Sequence, residues 1–306
     1  MEKTERRFLA TALLFLCLVS QLMAADIAFA DANVKALCVA SWDTDNDGEL
    51  SEEEAAAVLS LETVFRANKT ITTFDELAYF TGLKAINDYA FYQSSISHVT
   101  FPSTVMSIGE YAFSESDIGP EVTIPGNVKA LKAYCFNSCQ KLNKVMLENG
   151  VESIGYGAFS GPIEYLSLPA TLKEISSMAI NPYVNAYPGT GVFIPKGDLT
   201  VQVFSEKPAP IGNYAFYYVF AEGHLIVPYG CAEAYKAVSG WSHFGEYIGM
   251  GDVNRDGKVN VADIACLIAY ISGNEPTRFC SLAADVNGDG DIDAEDIEVL
   301  REFVLE

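Results

Sequence analysis

Apolar and polar positions alternate in a phrase, Ile-x-x-Tyr-Ala-Phe, that recurs along the middle of the chain. Six copies, some of them degenerate, begin at residues 86, 108, 131, 154, 175 and 211, so successive spacings are 22, 23, 23, 21 and 36 residues. An apolar stretch follows each copy, and alternation places its first and third residues on one face of a strand. These stretches are 99–102, 122–125, 145–147, 166–169, 192–195 and 225–228, most of them closed by proline.

One strand in each repeat of this length cannot form a meander of hairpins. Such strands stack in parallel, coil upon coil, as a solenoid. The small Ala or Cys position and the large Phe position then form two columns inside the coil, and Cys135 is predicted to be a packed small residue. We therefore predict a mixed α/β fold, with a solenoid that carries one parallel β-sheet over residues 74–250. The spacing of 36 residues predicts an insertion or an extra partial coil.

The outward-facing residues of successive strands are expected to form a row across this sheet. The row consists of Thr100, Thr123, Met146, Ser167, Phe193 and Ile226. Its large apolar members indicate a ligand surface. The ordinary preference for such residues at half-exposed strand positions explains them equally well.

The phrase I-G-x-Y-A-F…V-T-I-P resembles the BspA-type leucine-rich repeats of bacterial surface proteins. The resemblance covers about 74–250, and the segment 225–241 is similar to the capping segment of that family. It implies a leucine-rich repeat solenoid whose surface binds an unidentified protein or glycan. The copy that begins at residue 175 has lost its Tyr and Phe, so the stack is expected to be irregular there.

An acidic segment, residues 43–54, precedes the repeats and is called the N-terminal loop below. It fits the calcium-loop pattern D-x-[DN]-x-[DN]-G-x5-E at every position. The expected ligands are Asp43, Asp45, Asp47, Glu49 through its carbonyl, Ser51 through its hydroxyl or a bound water, and Glu54 through both carboxylate oxygens. Short helices on either side would make residues 31–73 an EF-hand-like module, and an acidic surface turn is the alternative.

Two further acidic loops follow the repeats, at residues 252–263 and 285–296, and are called the first and second C-terminal loops. They lie 33 residues apart, which indicates an internal duplication. A segment with apolar residues at helical spacing follows each loop. We therefore predict a small α-helical module over 251–306, called the C-terminal module.

This duplicated loop and helix resemble a type I dockerin, a module that docks onto a cohesin module of another protein. The shared pattern, D-V-N-x-D-G-x-[VI]-[ND]-x-x-D, occurs twice. The resemblance implies calcium ligands at Asp252, Asn254, Asp256, Asn260 and Asp263, at Asp285, Asn287, Asp289, Asp293 and Asp296, and at the carbonyls of Lys258 and Asp291. The pairs at 261–262 and 294–295 are Val-Ala and Ala-Glu, which differ from the hydroxyl pair common in cellulosomal dockerins. We therefore describe the expected partner as cohesin-like.

Charge and the first residues indicate where the protein works. A net charge of −22 disfavours nucleic acid as a partner, because phosphate binding needs clustered Lys and Arg. Residues 1–30 are typical of a signal peptide, with a basic start, an apolar run at 8–19 and a small-x-small motif at 28–30. Ala24 and Ala25 offer an earlier cleavage site. We predict a secreted or cell-surface protein without a transmembrane anchor after processing.

The sequence offers little that is typical of an enzyme. The three histidines are far apart, and no nucleophile elbow or phosphate-binding glycine loop is present. Six cysteines lie outside the predicted signal peptide, and buried free thiols are favoured for Cys135 and Cys139, although disulfides are permitted outside the cytoplasm. We predict a non-enzymatic binding or adhesion protein. An accessory or enzymatic subunit of an extracellular polysaccharide-degrading assembly is the alternative.

Overall fold

The structure is a computed structural model that describes residues 25–187, 192–195, 198–217, 219 and 222–305. The first 24 residues of the predicted signal peptide lie outside the described residues. The helices are α1 (Ala32–Trp42), α2 (Glu52–Ala57), α3 (Ala232–Lys236), α4 (Val261–Ile271), α5 (Ser281–Ala284) and α6 (Ala294–Leu305). Two short 3-10 helices span Asp75–Tyr79 and Trp241–His243.

Parallel strands form ladders on three sides of the stacked coils. A five-stranded sheet contains β2 (Ala85–Ile86), β4 (Ser107–Ile108), β6 (Ala130–Leu131), β9 (Ser153–Ile154) and β12 (Glu174–Ile175). A six-stranded sheet contains β5 (Glu121–Ile124), β8 (Lys144–Leu147), β11 (Tyr165–Leu168), β15 (Thr200–Val203), β16 (His224–Val227) and β17 (Glu246–Gly249). The other two sheets are the pair β1 (Thr73–Phe74) and β3 (His98–Val99), and the set β7 (Phe136–Asn137), β10 (Phe159–Gly161), β13 (Ile180–Tyr187) and β14 (Val192–Pro195).

The predicted parallel solenoid is therefore confirmed, but its strands occupy more than the one expected sheet. A single coil contributes β6, β7 and β8 to three different ladders. Equivalent positions of neighbouring coils lie opposite each other all round the stack. Backbone N–H and C=O groups can therefore pair wherever the chain runs extended, and buried ones must pair.

Stacked phenylalanines fill the centre of the coils. The ring of Phe113 lies 5.0 Å from that of Phe91 and 5.0 Å from that of Phe136, with interplanar angles of 10° and 2°. All three rings are buried, as are the Ala positions beside them and Cys135. The repeat phrase therefore folds as predicted, because its small and large residues form the two interior columns.

Two helices close the N-terminal end of the stack. The Asp31 carboxylate accepts hydrogen bonds from the N–H groups of Asn33 and Val34 and so begins α1. Trp42, at the end of α1, contacts the ring of Phe80 at 5.4 Å. Residues 25–30 belong to this cap, since the N–H of Ile27 donates to the carbonyl of Leu50 at 2.9 Å.

The long final repeat spacing contains an antiparallel insertion. Strand β13 continues past the core and pairs with β14 in the antiparallel sense. The chain then returns to the six-stranded sheet as β15, which pairs in parallel with β11 and β16. The predicted insertion is thus found, but the strand that continues the sheet is β15 and not the stretch 192–195.

The C-terminal module packs directly against the outer face of the six-stranded sheet, near the C-terminal end of the solenoid. Strand β17 ends at Gly249, and the first C-terminal loop begins at Asp252. A second apolar core joins the two parts and contains Ile226, Ile248, Met250, Val253, Leu267, Cys280, Ala283, Ala284, Val286 and Leu300. The module therefore shares part of its core with the outer face of the six-stranded sheet.

Candidate functional site

The three acidic loops have the same backbone course. The sixth residue of each is a glycine in the left-handed region, with φ of 89° at Gly48, 85° at Gly257 and 95° at Gly290. Side chains other than glycine rarely adopt this conformation, so the sequence pattern reflects a real requirement of the turn. The N–H of each glycine donates to the carboxylate of the first loop residue at 3.0 Å in every case.

The remaining hydrogen bonds of the loops also repeat. The N–H of the fifth residue donates to the side chain of the third at 3.1, 2.9 and 2.9 Å. The N–H of the ninth residue donates to the carboxylate of the twelfth at 3.0, 2.9 and 2.9 Å. The twelfth residue is glutamate once and aspartate twice, and the same bond forms with either. The structure therefore turns the side chains at positions 1, 3, 5 and 12 inward in all three loops.

Carboxylates crowd together in the N-terminal loop. Asp43, Asp45 and Asp47 each offer an oxygen atom, and these atoms lie within 4.8 Å of one another. The Glu54 carboxylate spans the loop, because it accepts from Ser51 N–H at 3.0 Å and from Thr44 N–H at 2.6 Å. These hydrogen bonds, led by that of Ser51, lower the pKa of Glu54 to about 2. A donor set made only of oxygen atoms fits calcium.

Buried carboxylates distinguish the two C-terminal loops. Asp263 and Asp296 have no exposed surface, and Asp285 is 9% exposed. Burial, with added repulsion from Asp296 and Asp289, raises the pKa of Asp285 to about 6. Among the described residues, no lysine or arginine pairs with these three buried aspartates. Buried carboxylates without a counterion are unfavourable, so these loops fit a divalent cation.

Comparison with protein families agrees with both parts of the fold. The family described as "BspA type Leucine rich repeat region" matches residues 65–184 in six copies. The family described as "Dockerin type I domain" matches residues 250–305. The chain contains a BspA-type leucine-rich repeat region and a type I dockerin domain. Domains of the dockerin family typically bind calcium and dock onto a cohesin partner protein, and both kinds of domain are typical of extracellular or surface proteins.

Other comparisons are more distant. One solved structure, a leucine-rich repeat protein from Bacteroides ovatus ATCC 8483, is 20% identical with a TM-score of 0.29. The match covers 56% of this chain and 54% of that protein, so this chain spans about half of the length of its structural relative. No curated protein matches the sequence. No helix among the described residues is long and apolar enough to cross a membrane.

The outer row of the six-stranded sheet differs from the predicted row at one strand. Registered pairs place Thr123 beside Met146, Met146 beside Ser167, Ser167 beside Gln202 and Gln202 beside Ile226. The sequence pattern places Phe193 between Ser167 and Ile226, and this prediction is wrong, because β14 pairs with β13 outside this sheet. Gln202 occupies its place. Thr100 follows β3 in the neighbouring two-stranded sheet.

The dockerin covers the C-terminal half of this row. Ile226 is fully buried in the core that the dockerin shares with the sheet, so its prediction as part of an exposed ligand surface is wrong. Ser167 is also buried, whereas Thr100 and Thr123 are exposed and Met146 is half-buried. Packing of the dockerin against the sheet removes Ser167 and Ile226 from solvent. Only the part of the row from Thr100 to Met146 remains open.

Three residues that the sequence did not single out hold the second dockerin loop against the sheet. The side-chain amide of Gln202 donates to the carbonyl of Asp285 at 2.8 Å, and the hydroxyl of Tyr165 donates to the amide oxygen of Gln202. The ring of Phe204 lies so close to Gly288 that a Cβ there would meet it at 2.1 Å. The fourth position of the first loop is arginine and that of the second is glycine, which is the one sequence signal of this contact.

Apolar side chains remain exposed on the two long dockerin helices. Helix α4 exposes Val261, Ile268, Tyr270 and Ile271, and α6 exposes Phe303 and Leu305. Val261 is 68% exposed. The solenoid leaves these side chains uncovered, and the spacing of Val261, Ile268 and Ile271 puts them on one face of α4.

Proposed function

We propose that this chain is a secreted or surface-associated binding protein without catalytic activity, which presents a repeat surface to a ligand and docks onto another protein through its dockerin. The observation that carries the docking role is the set of exposed apolar side chains on the two long dockerin helices, above all Val261, Ile268 and Ile271 on one face of α4. Exposed apolar patches on soluble domains commonly mark interaction sites.

We propose calcium at all three loops. The ligands are the residues that the sequence pattern selects, and the inward side chains and buried aspartates support this assignment. When bound, the ion would balance the charge of Asp263, Asp285 and Asp296 and hold each loop against the helix that follows it. The N-terminal loop joins α1 to α2, so calcium there would stabilise the cap of the solenoid.

A cohesin-like module is the proposed docking partner. The residues at 261–262 and 294–295 lack the hydroxyl pair, and Val261 is instead exposed and apolar. We therefore expect the partner to present apolar side chains to α4. The partner should be retained only when calcium orders the loop from which α4 begins.

Retention on immobilised cohesin modules tests this proposal. The full chain should bind at least one module of a panel in calcium and should elute with a chelator. The variant Val261→Asp/Ile268→Asp should lose at least tenfold in affinity. Leu59→Asp, at a leucine that is 77% exposed outside the dockerin, is the matched control and should bind normally. Equal retention in calcium and in chelator would refute the proposal that docking depends on calcium.

Export with cleavage before residue 25 or 26 is proposed for the first segment. Residues 25–30 contact the N-terminal cap, where the N–H of Ala30 donates to the Glu76 carboxylate at 2.7 Å. Cleavage after Ala30 would remove these contacts. N-terminal sequencing of the mature protein should give Ala25 or Asp26, and a first residue of Asp31 would contradict the proposal.

We also propose that the chain has no catalytic activity. Burial raises the pKa of Cys135 and Cys139, which makes both thiols poor nucleophiles. His224 pairs with the Glu246 carboxylate at 2.8 Å on the sheet, which ties up one nitrogen of its ring. Release of soluble sugars from polysaccharide by the purified chain would favour the alternative of an enzymatic subunit.

A further inference from the structure

A groove crosses the open part of the outer row and ends at the second dockerin loop. Its floor consists of Thr100, Thr123 and Met146 and ends over the buried Ser167, and its far wall contains Asn287 and Asp289. Two adjoining pockets of about 280 and 400 Å³ share Thr123 and make up this outer groove. Pockets that bind small ligands are of this size.

Two domains build the outer groove together. Met146 and Ser167 come from the sheet, while Asn287 and Gly288 come from the dockerin loop. The contact between Phe204 and Gly288 fixes the junction, and Phe204 also lines the groove. The loop is therefore part of the site.

The charge of the outer groove disfavours anionic ligands. Glu121, Glu148 and Asp289 line the two pockets, and no lysine or arginine among the described residues does so. The Glu148 carboxylate already accepts from the N–H of Gly126 at 3.0 Å. The amide of Asn287 donates to the Asp289 carboxylate at 2.8 Å. Two of the three acids thus have hydrogen-bond donors within the protein, and a bound calcium ion would balance the charge of Asp289.

The part of the floor that Met146 and Ser167 form also disfavours an extended peptide, whereas Thr123 lies on β5, the edge strand of the sheet. Strands β8 and β11 are hydrogen-bonded on both sides, so a peptide that lies on them finds no strand edge to extend. An amphipathic helix needs an apolar groove, whereas hydroxyl groups line much of this floor. Hydroxyl and amide groups both donate and accept hydrogen bonds. The best complement is a ligand with many hydroxyl groups and some apolar surface, which Met146 and Phe204 would contact.

We infer that the outer groove binds a neutral oligosaccharide, held between the face of the repeat sheet and the second dockerin loop. This inference rests on the proposed binding role of the repeat surface and names its ligand class. The sugar hydroxyls bond to Thr100, Thr123 and Asn149, and the carbon faces of the rings lie on Met146 and Phe204. Because the loop forms one wall, binding depends on calcium.

Isothermal titration calorimetry on the full mature chain tests the inference. The probes are cellohexaose, xylohexaose, mannohexaose and maltohexaose, with polygalacturonate as the anionic comparison and hexalysine as the cationic one. At least one neutral hexasaccharide should bind in calcium, and chelation should weaken it at least tenfold. Binding of hexalysine or polygalacturonate alone, or of no probe, would overturn the assignment, and so would affinity that a chelator leaves unchanged.

Matched arginine variants locate the site. Thr123→Arg places a long side chain at the centre of the groove and should weaken the hexasaccharide at least tenfold, because Thr123 is exposed and its replacement leaves the core intact. Thr81→Arg, at an exposed threonine outside both pockets, should bind normally. Equal affinity of the two variants would refute the groove. Retention on cohesin modules is measured on the same samples. Normal docking without sugar binding would refute the oligosaccharide site and leave the proposed docking function intact.

Discussion

The side-chain amide of Gln202 donates a hydrogen bond of 2.8 Å to the backbone carbonyl of Asp285, the first residue of the second dockerin loop. Gln202 is fully buried and belongs to a strand of the repeat sheet. A single glutamine thus joins the repeat region to a proposed calcium ligand 83 residues later in the chain.

Replacing this glutamine should loosen the dockerin. Gln202→Met keeps the length of the side chain but leaves the Asp285 carbonyl and the Tyr165 hydroxyl without this partner. A buried polar group that loses its partner costs about 1–3 kcal/mol. We expect a lower free energy of unfolding in urea and faster amide exchange in residues 285–296. Gln140→Met, at an exposed glutamine, should change neither, and equal effects of the two variants would contradict the role of Gln202.

The phenylalanine column should dominate the stability of the solenoid. Phe113 is fully buried between two stacked rings, so Phe113→Ala leaves a cavity and should cost about 3–5 kcal/mol. Phe303→Ala removes the same atoms from an exposed site on α6 and should cost less than about 0.5 kcal/mol. Thermal and urea unfolding measure both. An unchanged melting temperature for Phe113→Ala would refute the stacked core.

Removal of calcium should loosen the dockerin first. Without the ion, the inward carboxylates of each loop repel one another, and a module of this size has little core of its own. We expect amide exchange in α4 and α6 to accelerate in chelator. Strands β15 to β17 should lose some protection because they share the second core, while β4 and β6 stay unchanged. Asp256→Ala and Asp289→Ala should each reproduce part of the effect, and equal protection with and without calcium would contradict it.

Asp31 should make the N-terminal cap sensitive to acid. Burial tends to raise its pKa, but hydrogen bonds from Thr72, Asn33 and Val34 outweigh this and lower it overall. Its stabilising contribution is therefore present above the usual pKa of about 3.9 and is lost as the pH falls through the lower folded value.

Asp31→Ala should cost about 0.5–2 kcal/mol at pH 7, as other lost helix caps do. The difference from the unsubstituted chain should shrink below pH 4, where the native carboxylate becomes protonated. Asp31→Asn keeps an acceptor for the cap but has no charge, so its stability should lack this pH dependence. Urea unfolding between pH 7 and pH 3 measures all three chains, and a difference that is constant with pH would contradict the assignment.

Local repetition explains which parts of the fold the sequence predicts. The Phe113 column, the buried Cys135 and the left-handed glycines at Gly48, Gly257 and Gly290 all follow from patterns shorter than one repeat. The stretch 192–195 carries the same strand pattern, yet it pairs in an antiparallel hairpin. Its pattern does not record which neighbour it pairs with, and the true member of the sheet, β15, has no closing proline.

Contacts between domains explain the features that the sequence does not predict. Ile226 has the alternation of an outward strand residue, and it does face outward, but a second domain covers that face. The apolar character that indicated a ligand surface therefore belongs to an internal interface. A strand pattern distinguishes one face of a sheet from the other, and it does not distinguish a face in water from a face under another domain.

The direct passage from β17 into the first dockerin loop has a mechanical consequence. The range of orientations that a flexible linker allows between two domains grows with its length. Here only two residues separate Gly249 from Asp252, so the linker allows little relative motion. A force that pulls on the dockerin would therefore act directly on the six-stranded sheet, through the shared core and Gln202. No flexible linker would extend first. When the dockerin is bound to its partner, the repeats would therefore keep a fixed orientation relative to that partner.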